Sequence, residues 1–267
     1  MRRLALIVLG LSACSSEPRP SQADRLNAAG ADALASGRPR AAVARFSAAA
    51  ESSGARDDHD SLARDLHNRG LSLIATGELA AGCDDLRESL RLADDAPVDD
   101  RLSTRLALAA ALAALGRTAE ATECIDLALA ERDGAAPLRA RALSSRAALA
   151  LRRDDVAAAQ TDLAAAERLC GDDTGAQGAV AVNRGHAALR SGDLAAASAG
   201  YGAATVAFRT AGDHAGLAAA LEGSARAAEA QGDRAAAAQA WRRAAAVPHG
   251  GPAARERRLA EATRLSR

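Results

Sequence analysis

A turn signal that recurs every 38 to 40 residues is the feature that most constrains how this chain can fold. Each copy is a Gly, or an Asp in the fourth copy, followed by a charged residue. The copies lie at Gly37, Gly77, Gly116, Asp154, Gly192 and Gly232. A fixed period of this length is typical of stacked structural units, because one unit cannot bury its apolar face alone. The spacing therefore predicts a tandem array of about six similar units.

Small and large side chains stand at fixed distances from each turn. A small residue precedes the turn by seven positions, at Gly30, Gly70, Ala109, Ala147, Gly185 and Ala225. A larger apolar residue follows it by nine positions, at Phe46, Leu86, Ile125, Leu163, Tyr201 and Trp241. If the turn joins two helices, the larger side chain on the second helix can fill the space that small residues leave on a neighbouring helix.

The composition favours helices over strands. Of the 267 residues, 77 are Ala, none is Lys and four are aromatic. Ala has the highest helix propensity, with Leu and Arg close behind, whereas strands favour β-branched and aromatic side chains. The predicted fold class is therefore all-α. The 34 basic and 34 acidic residues balance, which argues against nucleic acid as a partner, since nucleic-acid binders concentrate positive charge.

This register of small residues, turn and aromatic knob resembles the tetratricopeptide repeat over roughly residues 23–247. The resemblance implies a right-handed α-solenoid of about six antiparallel helix pairs. Because the period exceeds the family's usual length of about 34 residues, we expect the extra residues to lengthen the second helix or the connection between repeats. After a break at Pro248–Pro252, residues 248–267 are predicted to form a C-terminal capping helix that covers the last apolar face.

The N-terminus has the pattern of an export signal. Two arginines precede an apolar run, and the sequence Leu11-Ser12-Ala13-Cys14 resembles the lipobox of bacterial lipoproteins. This resemblance implies a signal peptide over residues 1–13, acyl chains on Cys14 that hold the protein to a membrane, and a tether over residues 14–22. The expected location is the cell envelope, on the periplasmic side of the outer membrane if the organism has one. A plain secretory signal is the alternative.

The sequence offers no pattern typical of an enzyme. The His residues are scattered, and the chain has no glycine-rich phosphate loop and no CxxC pair. We therefore expect no enzymatic activity, no cofactor and no metal. A hydrolase stays open only if His67 or His186 lies within hydrogen-bond reach of a Ser and a carboxylate. A disulfide between Cys83 and Cys124 is conceivable, but buried free thiols are favoured because helix spacing is usually too wide for a bridge.

The tetratricopeptide resemblance also implies a groove that holds extended peptides or partner helices. In that family, residues of the first helix in each pair line the concave face. The matching positions here are Asn27, Arg64, His67, Asn68, Arg141, Ser144, Asn183, His186, Glu222 and Arg226. The implied function is a scaffold that docks other envelope proteins or peptides. The alternative is an accessory subunit that captures exported peptide ligands.

Overall fold

The computed structural model describes residues 20–93 and 96–266, and these ranges contain thirteen α-helices and no strand. The helices are α1 (Gln22–Ala35), α2 (Pro39–Gly54), α3 (His59–Thr76), α4 (Leu79–Leu92), α5 (Val98–Ala114), α6 (Thr118–Ala130), α7 (Ala136–Arg152), α8 (Val156–Leu169), α9 (Thr174–Arg190), α10 (Leu194–Ala211), α11 (His214–Ala230), α12 (Arg234–Ala246) and α13 (Gly251–Leu265). The prediction of an all-α solenoid is confirmed. The predicted signal peptide and Cys14 lie outside the described residues.

The helices form six consecutive hairpins followed by one more helix. Each first helix packs against the second helix of its own pair, and the first helices of adjacent pairs also contact each other, from α1 with α3 to α9 with α11. No two second helices are in contact within the described ranges. Because the elements of a curved array approach each other most closely on its inner side, the first helices form the inner layer. We call their exposed surface the inner face.

All six predicted turn residues adopt a left-handed backbone conformation, with φ from 63° at Asp154 to 92° at Gly77. Gly adopts such angles without steric cost, and Asp is among the few other residues that tolerate them. In the fourth turn the next residue, Asp155, is the N-cap of α8, and its carboxylate accepts a hydrogen bond of 3.0 Å from the backbone N–H of Ala158. The turn signal therefore ends one helix and begins the next within three residues.

The predicted knobs are buried, and their exposed fractions do not exceed the 7% of Trp241. Their rings and branches lie directly over the small residues of the first helix. A Cβ atom added at Gly30 would lie 2.7 Å from the Phe46 ring, and one at Gly185 would lie 2.8 Å from the Tyr201 ring. Such distances are too short for non-bonded carbons, so glycine is required where the helices approach this closely.

Phe208, the remaining aromatic residue, lies outside the predicted register but is also buried. It stands seven residues after Tyr201 on α10, and its ring packs over two further glycines, Gly178 on α9 and Gly216 on α11. The fifth pair therefore uses two aromatic knobs where the other pairs use one large side chain.

The sequence predicts the extra length of each repeat in the second helix or in the connection between repeats. Connections of four or five residues follow the first four pairs, whereas the second helix is not the longer one in most pairs. In four of the pairs the first helix is the longer one, as in the second pair, where α3 has 18 residues and α4 has 14. Only in the first and fifth pairs is the second helix longer, with 18 residues in α10 against 17 in α9. The longer first helices widen the inner face along their own axes.

The last helix closes the C-terminal end of the array by packing on α12. Its Arg258 is only 4% exposed. The guanidinium donates hydrogen bonds of 2.7 Å to the Glu222 carboxylate on α11 and 3.0 Å to the backbone carbonyl of His249. A buried ion pair of this kind is destabilising to break, because the remaining partner keeps an unpaired charge.

Substitution of Gly223 tests whether α10 and α11 must approach each other closely. Its added Cβ would overlap the ring of Tyr201, which is fully buried and cannot move away. We expect Gly223→Ala to lower the free energy of unfolding by about 1–3 kcal/mol, as overpacking does in other cores. Gly202→Ala is the matched control, because an added Cβ there meets nothing within 4 Å. The control should stabilise by about 0.5–1 kcal/mol, and urea unfolding followed by circular dichroism measures both. Equal effects of the two substitutions would contradict the packing.

Candidate docking surface on the first helices

The predicted groove residues all lie on first helices, as the sequence pattern requires. They form two clusters on the inner face, separated by α5, which contributes none of them. The N-terminal cluster, on α1 and α3, contains Asn27, Arg64, His67 and Asn68. The C-terminal cluster, on α7, α9 and α11, contains Arg141, Ser144, Asn183, His186, Glu222 and Arg226.

A buried carboxylate organises the N-terminal cluster. Asp65 is fully buried on α3, and it accepts hydrogen bonds from the Asn27 side-chain amide and from the Ser53 hydroxyl at 2.7 Å. The Asn68 amide in turn donates to the Asn27 carbonyl oxygen at 3.3 Å. Asn27 therefore connects the first helices of adjacent repeats. The repeat pattern does not predict a role for Asp65, and the signal for it in the sequence is an acidic residue directly before the apolar Leu66.

Arg64 and His67 also bond to neighbouring helices. The Arg64 guanidinium donates to the Asp24 carboxylate on α1 at 3.0 Å, and its Nε lies 3.8 Å from Asp65. His67 Nδ1 lies 2.8 Å from the Thr104 hydroxyl oxygen on α5. That hydroxyl donates to the backbone carbonyl of Asp100 at 2.8 Å, so the hydrogen-bond network assigns the imidazole proton to Nδ1. Burial lowers the pKa of His67, and the neutral ring keeps Nε2 as an acceptor.

A cavity of about 490 Å³ opens between α3 and α5. Its volume falls within the range of small-ligand pockets. Its walls combine three of the predicted groove residues with other polar groups and a set of small apolar side chains. The lining residues are Asp60, Ala63, Arg64, His67, Asn68, Ser89, Ala93, Ala96, Pro97, Asp100, Ser103 and Thr104.

A second and smaller cavity of about 250 Å³ lies on the same face between α5 and α7. It is lined mainly by alanines and by Ile125 and Leu149, with Arg152 and Asn183 at its polar edge. The two cavities follow each other along the array, and the first has more charged and polar lining residues than the second.

The C-terminal cluster is joined by the same kind of contact between repeats. The Asn183 amide donates to the Ser144 backbone carbonyl at 3.0 Å and to the Ser144 hydroxyl oxygen at 2.9 Å. The Ser144 hydroxyl donates to the backbone carbonyl of Ala179 at 2.9 Å. Arg141 lies 3.7 Å from the Asp173 carboxylate. The hydrogen bonds of Ser144 therefore link α7 with α9.

The inner face and the core meet at His186. Its ring packs edge-on against Tyr201, with the ring centroids 5.3 Å apart, and its Nδ1 lies 3.4 Å from the Asn183 side-chain oxygen. Burial, followed by the nearby charge of Arg226, lowers the pKa of His186. The Tyr201 hydroxyl is buried without a hydrogen-bond partner among the described residues, and burial raises its pKa to about 12. The side chain of Arg226 is exposed. Glu222 is held by Arg258, as described above.

Other kinds of site find little support in the described residues. Cys83, Cys124 and Cys170 are free thiols, and burial raises the pKa of each. Among residues 20–93 and 96–266 there is no cluster of His, Cys and acidic side chains that could hold a metal ion. His67 bonds to Thr104 and His186 to Asn183, and among the described residues neither ring forms a hydrogen bond to a Ser hydroxyl.

No helix within the described part of the chain combines the length and the hydropathy needed to cross a bilayer.

Comparison with known proteins identifies the fold. No protein-family model and no curated protein sequence matches the chain. Among solved structures, a tetratricopeptide repeat protein from Parabacteroides merdae is similar at a TM-score of 0.52 and 14% identity, over 90% of this chain and 98% of its own. The type IV pilus biogenesis factor PilW is similar at a TM-score of 0.59 and 14% identity, again over 90% of this chain and 98% of its own.

PilF of Pseudomonas aeruginosa gives a TM-score of 0.53 at 19% identity, over 90% of this chain and 97% of its own. The likenesses extend over nearly the whole of each of these structures. The chain therefore has the fold of a tetratricopeptide-repeat solenoid. At identities this low the similarity defines the architecture, and the partner has to be inferred from the inner face itself.

Substitutions of Asn27 and Asn68 test which of the two inner-face side chains stabilises the fold. Asn27→Ala removes a donor from the fully buried Asp65 carboxylate, so we expect a loss of about 1.5–3 kcal/mol in the free energy of unfolding. Asn68→Ala removes only a half-buried bond of 3.3 Å, so we expect a loss of at most about 1 kcal/mol. Urea unfolding of the two variants provides the comparison. Equal losses would mean that Asn27 does not stabilise the buried carboxylate.

Proposed function

We propose that the protein is a lipid-anchored, non-enzymatic scaffold of the bacterial cell envelope that docks peptides or partner helices on its inner face. The observation that carries this proposal is the inner face itself, where two successive cavities and several polar side chains line the first helices. Solenoids bind through such extended concave surfaces, which follow from the small rotation between repeats. The predicted groove residues border both cavities.

A docking role is also consistent with the rigidity of this surface. The hydrogen bonds of Asn27, His67 and Asn183 connect successive first helices and fix the relative positions of the side chains. A surface that is ordered before binding loses less conformational entropy when a partner docks. The similarity to PilW, a type IV pilus biogenesis factor, supports a role in envelope assembly as one form that such docking takes.

The anchor is proposed from the N-terminal sequence. The lipobox-like Leu11-Ser12-Ala13-Cys14 supports acylation of Cys14, and more than one acyl chain is needed for stable membrane attachment. From Cys14 to the start of α1 at Gln22 the chain is polar and contains two prolines. Eight residues span at most about 28 Å, which would hold the solenoid close to the membrane surface.

Replacing the proposed lipid attachment site tests the anchor. We expect Cys14→Ala to lose incorporation of a labelled fatty acid and to leave the membrane fraction that releases the wild-type protein only with detergent. Cys124→Ala, which removes a half-buried thiol in the array, is the control and should fractionate like the wild type. Retention of fatty-acid label by Cys14→Ala would refute acylation at this residue.

Capture from envelope extracts tests the docking face. A variant with Arg64→Gln, Asn68→Ala and Arg141→Gln should recover at least about tenfold less partner than the wild-type protein, since loss of interface anchors commonly costs more than 1 kcal/mol each. The control carries two of the same Arg→Gln changes and one amide-to-Ala change at exposed positions of second helices, as Arg209→Gln, Arg243→Gln and Gln239→Ala. Equal recovery by the two triple variants would exclude the inner face as the docking surface.

The alternative of an accessory subunit that captures exported peptides is favoured by one observation, the size of the first cavity. About 490 Å³ is enough for a side chain and adjoining backbone, with no need for a folded partner. Binding of short peptides to the purified protein, together with failure to recover any folded protein from envelope extracts, would favour this alternative.

A further inference from the structure

The first cavity, between α3 and α5, has a chemical character that the proposed docking function does not specify. Two carboxylates face it from opposite helices, Asp60 in the first turn of α3 and Asp100 in the first turn of α5. Both side chains are exposed. Within the described residues, neither carboxylate has a hydrogen-bond or ion-pair partner. Acidic residues favour the first turn of a helix because they complement its dipole, but this does not explain why two of them meet at one cavity.

The neutral groups on the wall are also acceptors. His67 uses Nδ1 to bond Thr104, which leaves the Nε2 lone pair for another donor. The Asn68 side-chain amide donates a hydrogen bond to Asn27, and its carbonyl oxygen can accept a hydrogen bond from a ligand. Burial lowers the pKa of His67, and the negative charge of Asp100 raises it by a smaller amount. Asp100 is therefore close enough to His67 to interact with the same ligand. A ligand that brings several N–H donors would satisfy these groups together.

The cation that lines the cavity is already paired. Arg64 bonds the Asp24 carboxylate at 3.0 Å and lies 3.8 Å from the buried Asp65. Its positive charge is thus compensated from outside the cavity, and the two free carboxylates leave the wall with an excess of negative charge. An acidic ligand would meet that excess, whereas a cationic ligand would be attracted by it.

The rest of the lining is apolar and suits an aliphatic chain. Ala63 on α3, together with Ala93, Ala96 and Pro97 between α4 and α5, contributes short side chains to the lining. The side chains of Arg and Lys have this combination of an aliphatic stem and a charged end that donates hydrogen bonds.

We propose that the cavity between α3 and α5 receives a basic side chain, Arg or Lys, of a peptide segment that docks on the inner face. This inference rests on the proposed docking function and names the partner chemistry at one position. The charged end lies between Asp60 and Asp100 and donates to His67 Nε2, while the stem lies along the alanines and Pro97.

Direct binding to short peptides tests the proposal. The probes are twelve-residue peptides of Ala and Ser with one central variable residue, acetylated and amidated so that only this residue is charged. They carry a fluorophore, and anisotropy with the purified full chain gives the dissociation constants. We expect the peptides with Arg or Lys to bind at least about tenfold more tightly than the peptide with Gln, and the advantage to decrease as salt is raised. The peptide with Glu should bind most weakly.

Variants of the protein locate the effect. Asp60→Asn combined with Asp100→Asn should remove most of the preference for Arg over Gln, and each single substitution should remove part of it. Both carboxylates are exposed, so the fold is expected to persist, and circular dichroism checks this. Asp172→Asn makes the same chemical change at an exposed position in the connection from α8 to α9 and should leave the preference unchanged.

Absence of any preference for the basic peptides would overturn the proposal, and so would tighter binding of the Glu peptide or an unchanged preference in the Asp60 and Asp100 variant. Such results would not overturn the docking function, because the capture experiment also changes Arg141, which lies on α7 outside this cavity. Conversely, a clear preference for basic peptides with unchanged capture would uphold binding of a basic side chain in the cavity and refute docking of the captured partner on the inner face.

Discussion

The contact between one large side chain and the small residues of neighbouring first helices is the interaction on which this solenoid depends. Burying an Ala contributes only about 0.8 kcal/mol, whereas a Leu or Phe contributes about 1.5–3 kcal/mol. In a chain with 77 alanines and four aromatic residues, the few large side chains therefore supply a large share of each interface. Tyr201 shows how one ring can serve two repeats, since it packs over Gly185 on α9 and Gly223 on α11. A side chain at either glycine would overlap the Tyr201 ring and push α9 or α11 away from α10.

Close approach of the first helices has a consequence for the polar side chains on their exposed surface. Residues about one period apart come within hydrogen-bond distance, so that Asn27 reaches Asp65, His67 reaches Thr104 and Asn183 reaches Ser144. The inner face is therefore built from groups that already bond to one another. A partner can use only the capacity that remains, such as the second nitrogen of His67.

The sequence predicts the parts of the fold that repeat. Turn positions, knobs and the helical class all follow from offsets shared by the six units, because similar local sequences build similar hairpins. It does not predict features that occur once. Phe208 packs on glycines that have no counterpart in the period, and the pairing of Arg258 with Glu222 depends on how the last helix docks. The first cavity likewise requires the relative placement of α3, α4 and α5. The residues predicted to line the groove lie on first helices, and their role in docking stays a prediction. Their bonding to each other does not follow from spacing.

The whole chain has balanced charge, but the first cavity has an excess of negative charge. Equal numbers of basic and acidic residues give no net charge, and many of the arginines are paired. Arg69 bonds Asp85 at 2.6 Å in the second repeat, and Arg146 bonds Asp162 at 2.8 Å at the equivalent positions of the fourth. Pairing of this kind compensates many of the arginines, so that Asp60 and Asp100, which have no ion-pair partner among the described residues, add negative charge at the first cavity. At physiological salt such a charge acts over only about 8 Å. A neutral solenoid can therefore select a basic side chain at one cavity without attracting polycations along its whole length.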